Sequence, residues 1–337
     1  MRVGTDDGGD GVRVRHVPLT EEQTIELAVV GREELADDVV GLVFEDSAGG
    51  ELPRWAPGAH VDLLLTETLV RQYSLCSSPT DRRRWKVGVL LEPDGRGGSK
   101  HVHHTLREGA MLRVRGPRNH FALRPASRYQ FIAGGIGITP IMPMIEVAEA
   151  DGADWSLLYG GRRRTSMAFV DELSQYGDKV TVWPQDEFGM LDLASVLDTP
   201  REDTLIYCCG PEALLHAVEN ACVAWPNGAL HVERFAANPA ARRPPQDSVD
   251  DFAVVCQRSG VTIEIGPDDT ILDALRARGI SMLASCMEGI CGTCETPVLE
   301  GIPEHRDSVL SDDEKAENDC LMVCVSRSKT PRLVLDL

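Results

Sequence analysis

Ser285-Cys286-Met287-Glu288-Gly289-Ile290-Cys291-Gly292-Thr293-Cys294, followed later by Leu321-Met322-Val323-Cys324-Val325-Ser326-Arg327, decides how this chain is read. The spacing is C-x4-C-x2-C with a distant fourth thiol, the plant-type arrangement for a 2Fe-2S cluster. Such a loop must turn its sulfurs inward and aim backbone N–H groups at the bridging sulfides. Gly289 and Gly292 suit it, because glycine takes a positive φ without steric cost and lets backbone approach closely. Zinc is the rival reading, but structural zinc sites usually show paired short cysteine knuckles. Cys286, Cys291 and Cys294 are thus candidate ligands, with Cys324 or Cys320 competing for the fourth place. Cys320-Leu321-Met322-Val323-Cys324-Val325 reads as a strand entered from a loop.

At 337 residues the chain is too long for one core and suggests two or three domains. No apolar run reaches the ~18 residues of a membrane span, and the N-terminus lacks the apolar stretch of a signal peptide. A soluble, cytoplasmic monomer is expected. Ten cysteines could mean disulfides, but the six outside the cluster motif have no regular spacing, which fits thiols in a reducing compartment. The net charge of -19 argues against nucleic acid as a partner. Asp250 to Leu337 hold 17 Asp+Glu against 8 Lys+Arg, a net -9. That acidic surface either steers a basic electron acceptor or serves solubility alone.

Three segments follow a Gly- and Asp-rich stretch over 1–20, which reads as a disordered tail. Within 21–126, six short strand signals begin at Thr24, Val39, His60, Gln72, Trp85 and Met111, separated by Gly and Pro, as in an antiparallel barrel. Within 127–237 the pattern changes to strands alternating with helices, the rhythm of a parallel sheet. Its strands begin at Tyr129, Trp155, Val180, Thr204 and Ala229, and its helices are expected over 138–150, 167–176 and 213–221. The first helix is read with Thr139 as cap and Pro140 in its first turn. Residues 238–249, with Pro239, Pro244 and Pro245, look like a linker. The last segment, 250–337, has strands at Ala253 and Val261 and a helix from Ile271 leading into the cysteine loop.

Other motifs add chemistry. Gly134-Gly135-Ile136-Gly137-Ile138-Thr139-Pro140 follows a strand and opens a helix, the placement from which backbone N–H groups hold a pyrophosphate. Cys208-Cys209-Gly210-Pro211 ends a later strand, where such a sheet puts its ligand crevice. Arg71-Gln72-Tyr73-Ser74 offers a ring, a hydroxyl and a guanidinium to a flat phosphorylated cofactor, and Gly95-Arg96-Gly97-Gly98-Ser99-Lys100 is a second candidate phosphate loop. His101, His103 and His104 lack a carboxylate or thiol spaced for a metal and read as a solvated helix start.

Taken in order, Arg-x-Tyr-Ser, Gly-Gly-Ser, Gly-Gly-Ile-Gly-Ile-Thr-Pro, Cys-Gly-Pro and the C-terminal cysteine motif resemble the phthalate dioxygenase reductase family, to which vanillate demethylase reductases also belong. The likeness covers about residues 22 to 337. It implies a multidomain β + α/β + α+β protein: an antiparallel flavin-binding β-barrel, a ferredoxin-reductase-type parallel α/β nucleotide domain, and a C-terminal β-grasp plant-type ferredoxin domain. By this resemblance Arg71, Tyr73 and Ser74 contact FMN, Gly98 and Ser99 hold its phosphate, and Cys209 meets the nicotinamide. Gly134, Gly135, Gly137, Thr139, Pro140, Gly210 and Pro211 line the nucleotide site, Phe235 closes it beside the flavin, and Cys324 is the fourth cluster ligand. Ser74, Cys209 and Phe235 are the residues expected at the reacting atoms.

A nicotinamide gives two electrons as hydride and an iron-sulfur cluster takes one, so a flavin between them makes the conversion. The expected partner is a Rieske-type aromatic oxygenase or demethylase. The alternatives are a cytochrome P450 or, from another class, an iron-sulfur redox sensor without catalysis. The coenzyme is left between two readings. Arg162, Arg163 and Arg164, after the second strand of the nucleotide domain, offer cations where an acid would bond the ribose of NADH, which favours NADPH. An arginine at this place also occurs in NADH-using relatives of the family, and NADH is the expectation, with activity on both.

Overall fold

A computed structural model describes residues 23–236 and 251–337. The expected tail over 1–20 and linker over 238–249 lie outside the described residues.

The first sheet holds β1 (Thr24–Ala36), β2 (Val39–Asp46), β3 (His60–Leu64), β4 (Val70–Ser74), β5 (Trp85–Leu90) and β6 (Met111–Arg118), in the order β4-β3-β6-β1-β2-β5 and antiparallel throughout. Its two edges meet where Leu75 bridges Val87 and the Cys76 N–H donates to the Lys86 carbonyl at 2.9 Å, which closes the sheet into a barrel. Alternation fills the interior: Leu27, Val29, Leu42, Phe44, Val61, Leu63, Val87 and Val89 are buried. Helix α1 (Gly98–His104) follows β5. Its three histidines lie at its end rather than its start, and the His103 ring is bonded to the Val89 carbonyl at 2.9 Å.

The second sheet is parallel: β7 (Arg128–Gly134), β8 (Asp154–Gly161), β9 (Val180–Pro184), β10 (Thr204–Cys209) and β11 (Leu230–Glu233), ordered β11-β10-β7-β8-β9. Helices α2 (Ile138–Ala150), α3 (Val170–Leu173), α4 (Gln185–Phe188), α5 (Ala194–Leu197) and α6 (Glu212–Ala221) connect or follow these strands. The chain grows outward from β7 one way and from β10 the other, so the strand order switches between them. Ligand crevices open there in sheets of this kind.

Two local readings need correction. Thr139 is not the cap of α2; the helix begins from Gly137, and the buried Thr139 hydroxyl donates back to the Ile136 carbonyl at 2.9 Å. The helix expected over 167–176 shrinks to α3 and a 3-10 segment, because Phe169 takes a left-handed φ of 63° that turns its ring into the core.

The third sheet contains β12 (Phe252–Cys256), β13 (Val261–Ile265), β14 (Glu295–Glu300), β16 (Cys320–Met322) and β18 (Arg332–Leu335), and β15 (Pro303–Glu304) and β17 (Arg327–Ser328) form a separate two-stranded sheet. The main order is β13-β12-β18-β14-β16, with β12 and β18 paired in parallel at the centre. Helix α7 (Ile271–Ala277) is capped by the Thr270 hydroxyl, which accepts the Asp273 N–H at 3.0 Å, and α8 (Asp312–Glu317) starts from a Ser311–Glu314 capping box.

The cores divide unequally. Val39 and Cys76 of the barrel share one apolar cluster with Phe121, Phe131, Tyr207 and Cys209, so barrel and parallel sheet are joined by a common core. The third sheet is filled by its own side chains, from Phe252 to Leu335.

Candidate functional site

The cysteine loop runs from Ser285 to Cys294 and crosses into left-handed backbone at Met287, Gly289 and Gly292, with φ of 61°, 68° and 69°. Those reversals wrap the chain. A Cβ on Gly289 would meet Val325 at 2.6 Å and one on Gly292 would meet the His120 ring at 2.2 Å, so both glycines are required by close approach as well as by φ. Cys286, Cys291, Cys294 and Cys324 are all buried. Their thiols neighbour one another, the Glu288 N–H donates to Cys286 Sγ at 3.2 Å, and the N–H groups of Gly289 and Ile290 lie beside these sulfurs. Neighbouring thiols lined by N–H groups suit four thiolates shared by two irons. Cys320 has a different setting: burial and its neighbours Glu295, Asp319 and Asp307 push its thiol up.

Arg71 crosses from β4 onto the glycine loop. A Cβ on Gly98 would meet its side chain at 2.3 Å, and its guanidinium donates to the Arg96 carbonyl at 2.7 Å. Burial, with Arg96 beside it, lowers the Arg71 pKa. The Ser99 hydroxyl accepts the Glu92 N–H at 2.9 Å and so anchors the loop to the end of β5. Tyr73 packs against the barrel core, and burial raises its phenol.

At the switch point the two motifs of the parallel sheet lie against each other. A Cβ on Gly137 would sit 2.3 Å from the Cys209 carbonyl, and one on Gly134 would sit 2.8 Å from Pro211, while Gly135 has a φ of 54°. Thr139 and Pro140 are buried beneath this loop, and a Cβ on Gly88 of β5 would meet the Thr139 methyl at 2.9 Å. The crevice ends at Cys209, whose thiol lies 4.0 Å from Glu233 Oε2. The Ser74 hydroxyl lies beside the Glu233 carboxyl, so barrel and parallel sheet meet at three polar side chains. Burial raises Glu233 to about 8, the Ser74 bond opposing it, and burial with Glu233 beside it raises the Cys209 thiol well above its ordinary value. Phe235, two residues on, is 41% exposed, which excludes a core role. Arg162, Arg163 and Arg164 are exposed after β8, without an ion pair to a carboxylate among the described residues.

Sequence reasoning missed Glu233, Asp62, Arg96 and His120. Only the fold sets Glu233 between Cys209 and Ser74. Asp62, within β3, is fully buried and accepts from Arg115 and Arg118, each at 2.6 Å, and from the Ser285 hydroxyl at 3.1 Å.

A family model described as "2Fe-2S iron-sulfur cluster binding domain" matches residues 254–329, and one described as "Oxidoreductase NAD-binding domain" matches 131–220. The chain is 45% identical over 304 residues to the phenoxybenzoate dioxygenase subunit beta of Ectopseudomonas oleovorans, covering 90% of this chain and 94% of that one. The crystal structure of a phthalate dioxygenase reductase, described as modular for electron transfer from pyridine nucleotides to [2Fe-2S], matches with a TM-score of 0.68 at 34% identity, over 93% of this chain and 98% of that one. The chain belongs to the phthalate dioxygenase reductase family. It is an NAD(P)H-dependent flavin and iron-sulfur oxidoreductase, the reductase component of an oxygenase system. An intact type IV self-sufficient cytochrome P450 monooxygenase also matches, with a TM-score of 0.88 at 45% identity, over 93% of this chain; the chain spans 41% of that protein's length. No helix among the described residues is long and apolar enough to cross a membrane.

Proposed function

We propose that this reductase takes electrons from NADH, with some use of NADPH, through FMN and a 2Fe-2S cluster to a Rieske-type aromatic oxygenase or demethylase. The carrying observation is the meeting of Ser74, Cys209 and Glu233 at the mouth of the switch-point crevice, where a barrel-bound ring and a nucleotide laid on the parallel sheet come together. When bound, the flavin accepts a hydride and passes on single electrons. The chain's own residues bind and orient. Arg71, Tyr73, Gly98 and Ser99 hold the flavin and its phosphate end, and Ser74, Cys209 and the exposed Phe235 border the reacting rings. Gly134, Gly135, Gly137, Gly210 and Pro211 admit the nucleotide, Thr139 and Pro140 seat that loop on the barrel, and Arg162 and Arg163 reach its ribose end. Cys286, Cys291, Cys294 and Cys324 hold the cluster. We divide the chain into 21–126, 127–237 and 250–337 and propose a monomer; ten cysteines without a disulfide support a reducing compartment, the cytoplasm.

The flavin is tested by heat release and comparison with standards; an adenine-containing species would reject FMN. The acceptor is tested by NADH-driven turnover of a purified Rieske-type oxygenase against a P450. The relative named as a dioxygenase subunit supports the first, and the P450 likeness supports the second as the alternative.

A further inference from the structure

We infer that Arg96 positions the cluster loop on the flavin-binding barrel, tying the loop proposed to hold the flavin phosphate to the backbone of the first cluster cysteine. This inference rests on the proposed cluster ligands. Arg96 Nη1 donates to the Cys286 carbonyl at 3.0 Å, and its Nη2 meets Glu288 Oε2 at 3.0 Å, across 190 residues of chain. Its own carbonyl is held from behind by Arg71 at 2.7 Å, and Gly97, with φ of 84°, turns the chain straight into the Gly98-Ser99 pair. One residue therefore spans two cofactor loops. A planar guanidinium presents both donors in one fixed fork, which a lysine ammonium does not.

Two further contacts fix the same loop on either side of Arg96. Ser285 donates to the buried Asp62 carboxylate, and the His120 ring fills the space over Gly292 that a Cβ would need. Asp62 is buried in the barrel and paired with Arg118, and the His120 ring stacks on the buried His60 with centroids 5.8 Å apart, so changing either would disturb their surroundings. The Arg96 side chain is 52% exposed, and the Arg96–Glu288 pair taken alone would contribute little to stability. Its role is accordingly one of placement, and its loss should appear in the rate of the step between the cofactors rather than in folding.

The test uses the holoprotein in wild-type form and as Arg96→Ala and Glu288→Gln. Single-turnover reduction by NADH separates flavin reduction from cluster reduction, and ferricyanide reduction per bound flavin reports the flavin half alone. Arg96→Ala is expected to keep the visible spectrum of the cluster and to hold ferricyanide reduction within about twofold. Cluster reduction by the flavin should slow about tenfold or more, as misplaced reacting groups do. Amide hydrogen exchange should rise over 284–290 in the same variant. Glu288→Gln, which leaves the flavin loop untouched, should give a smaller loss in the same step, and added salt should slow the wild type toward it. An Arg96→Ala protein whose flavin-to-cluster rate and exchange match the wild type overturns the inference. If Arg96→Ala loses its flavin, Glu288→Gln decides: an unchanged rate there overturns it too. A wild-type protein lacking the cluster spectrum would instead reject the ligand assignment beneath it.

Discussion

Where the barrel meets the parallel sheet, Val39 and Cys76 are buried in one apolar cluster with Phe121, Phe131 and Tyr207. Where it meets the cysteine loop, the contacts among the described residues include the Arg96 fork, the Ser285–Asp62 bond and His120 over Gly292. The difference follows the chemistry passed across each boundary. Hydride transfer needs reacting atoms held about 3–3.5 Å apart, which a shared close-packed core secures. A single electron crosses without a bond forming, so a polar dock on a separately filled domain is enough.

The sharpest separation of the two regions comes from the cysteines. Cys324→Ser should abolish the cluster's visible absorption and electron delivery to a protein acceptor, while dye reduction by NADH continues, because the barrel and parallel sheet fold on cores of their own. Cys320→Ser should keep the absorption, since the Cys320 thiol has the carboxylates of Glu295, Asp319 and Asp307 around it, whereas Cys324 neighbours Cys286 and Cys294. The reverse pattern in absorption spectra would exchange their roles.

Breaking the shared core should cost stability instead. Phe121 is 3% exposed and packs edge-on against Tyr207 with ring centroids 5.4 Å apart. Phe121→Ala is expected to destabilise by about 3–5 kcal/mol, from lost burial and the cavity left behind. Denaturant melts would show it, together with slower dye reduction. A loss under about 1 kcal/mol, or unchanged dye reduction, would mean that the two units are less tightly joined than their common core implies.

The arginines after β8 are exposed, beside Thr165, whose carbonyl accepts the barrel's Asp37 N–H at 2.8 Å, and their proposed role is toward the coenzyme. A guanidinium bond to a phosphate is worth about 1.5 to 3 kcal/mol. Comparing kcat/KM for NADH and NADPH in wild type, Arg163→Ala and Arg164→Ala reads which ribose they meet. A preference for NADPH above about a hundredfold, lost in either variant, would reject the NADH assignment.

The cluster loop was legible because its spacing is local, and the strands of barrel and sheet because alternation and turn residues mark them. The helix over 138–150 agrees with α2 to the residue. Sequence was silent where meaning depends on tertiary placement. His231-Val232-Glu233-Arg234-Phe235 shows a strand end, but nothing in it says that the barrel's Ser74 will lie beside Glu233. Gly95-Arg96-Gly97 shows a flexible loop, and its bond to Cys286 spans 190 positions. The strands β14 and β18 escaped notice for a related reason: Glu295, Pro297 and Glu300 break the pattern of β14, β18 is only four residues long, and their pairing in the sheet supplies what alternation lacks.

The smallest expected effect bears on the polar point inside the apolar boundary. Burial holds Glu233 at about 8, above its ordinary 4.5, so near neutral pH the folded protein keeps a proton that the unfolded chain has released. Stability from this group is therefore fully present below pH 4.5 and falls as pH rises through 8. Glu233→Gln keeps a hydrogen-bonding group for Ser74 and removes the charge, so it should flatten the fall in melting temperature between pH 6 and 9 and raise stability most at the alkaline end. Losing the carboxyl's share of the Ser74 bond costs about 0.5–1.5 kcal/mol at most, and dye reduction near neutrality should change little. An inflection near pH 8 in the hydride step, present in the wild type and absent from Glu233→Gln, would tie this proton to the chemistry. An inflection that survives in the variant would assign it to another group and leave Glu233 as a buried acid of the boundary alone.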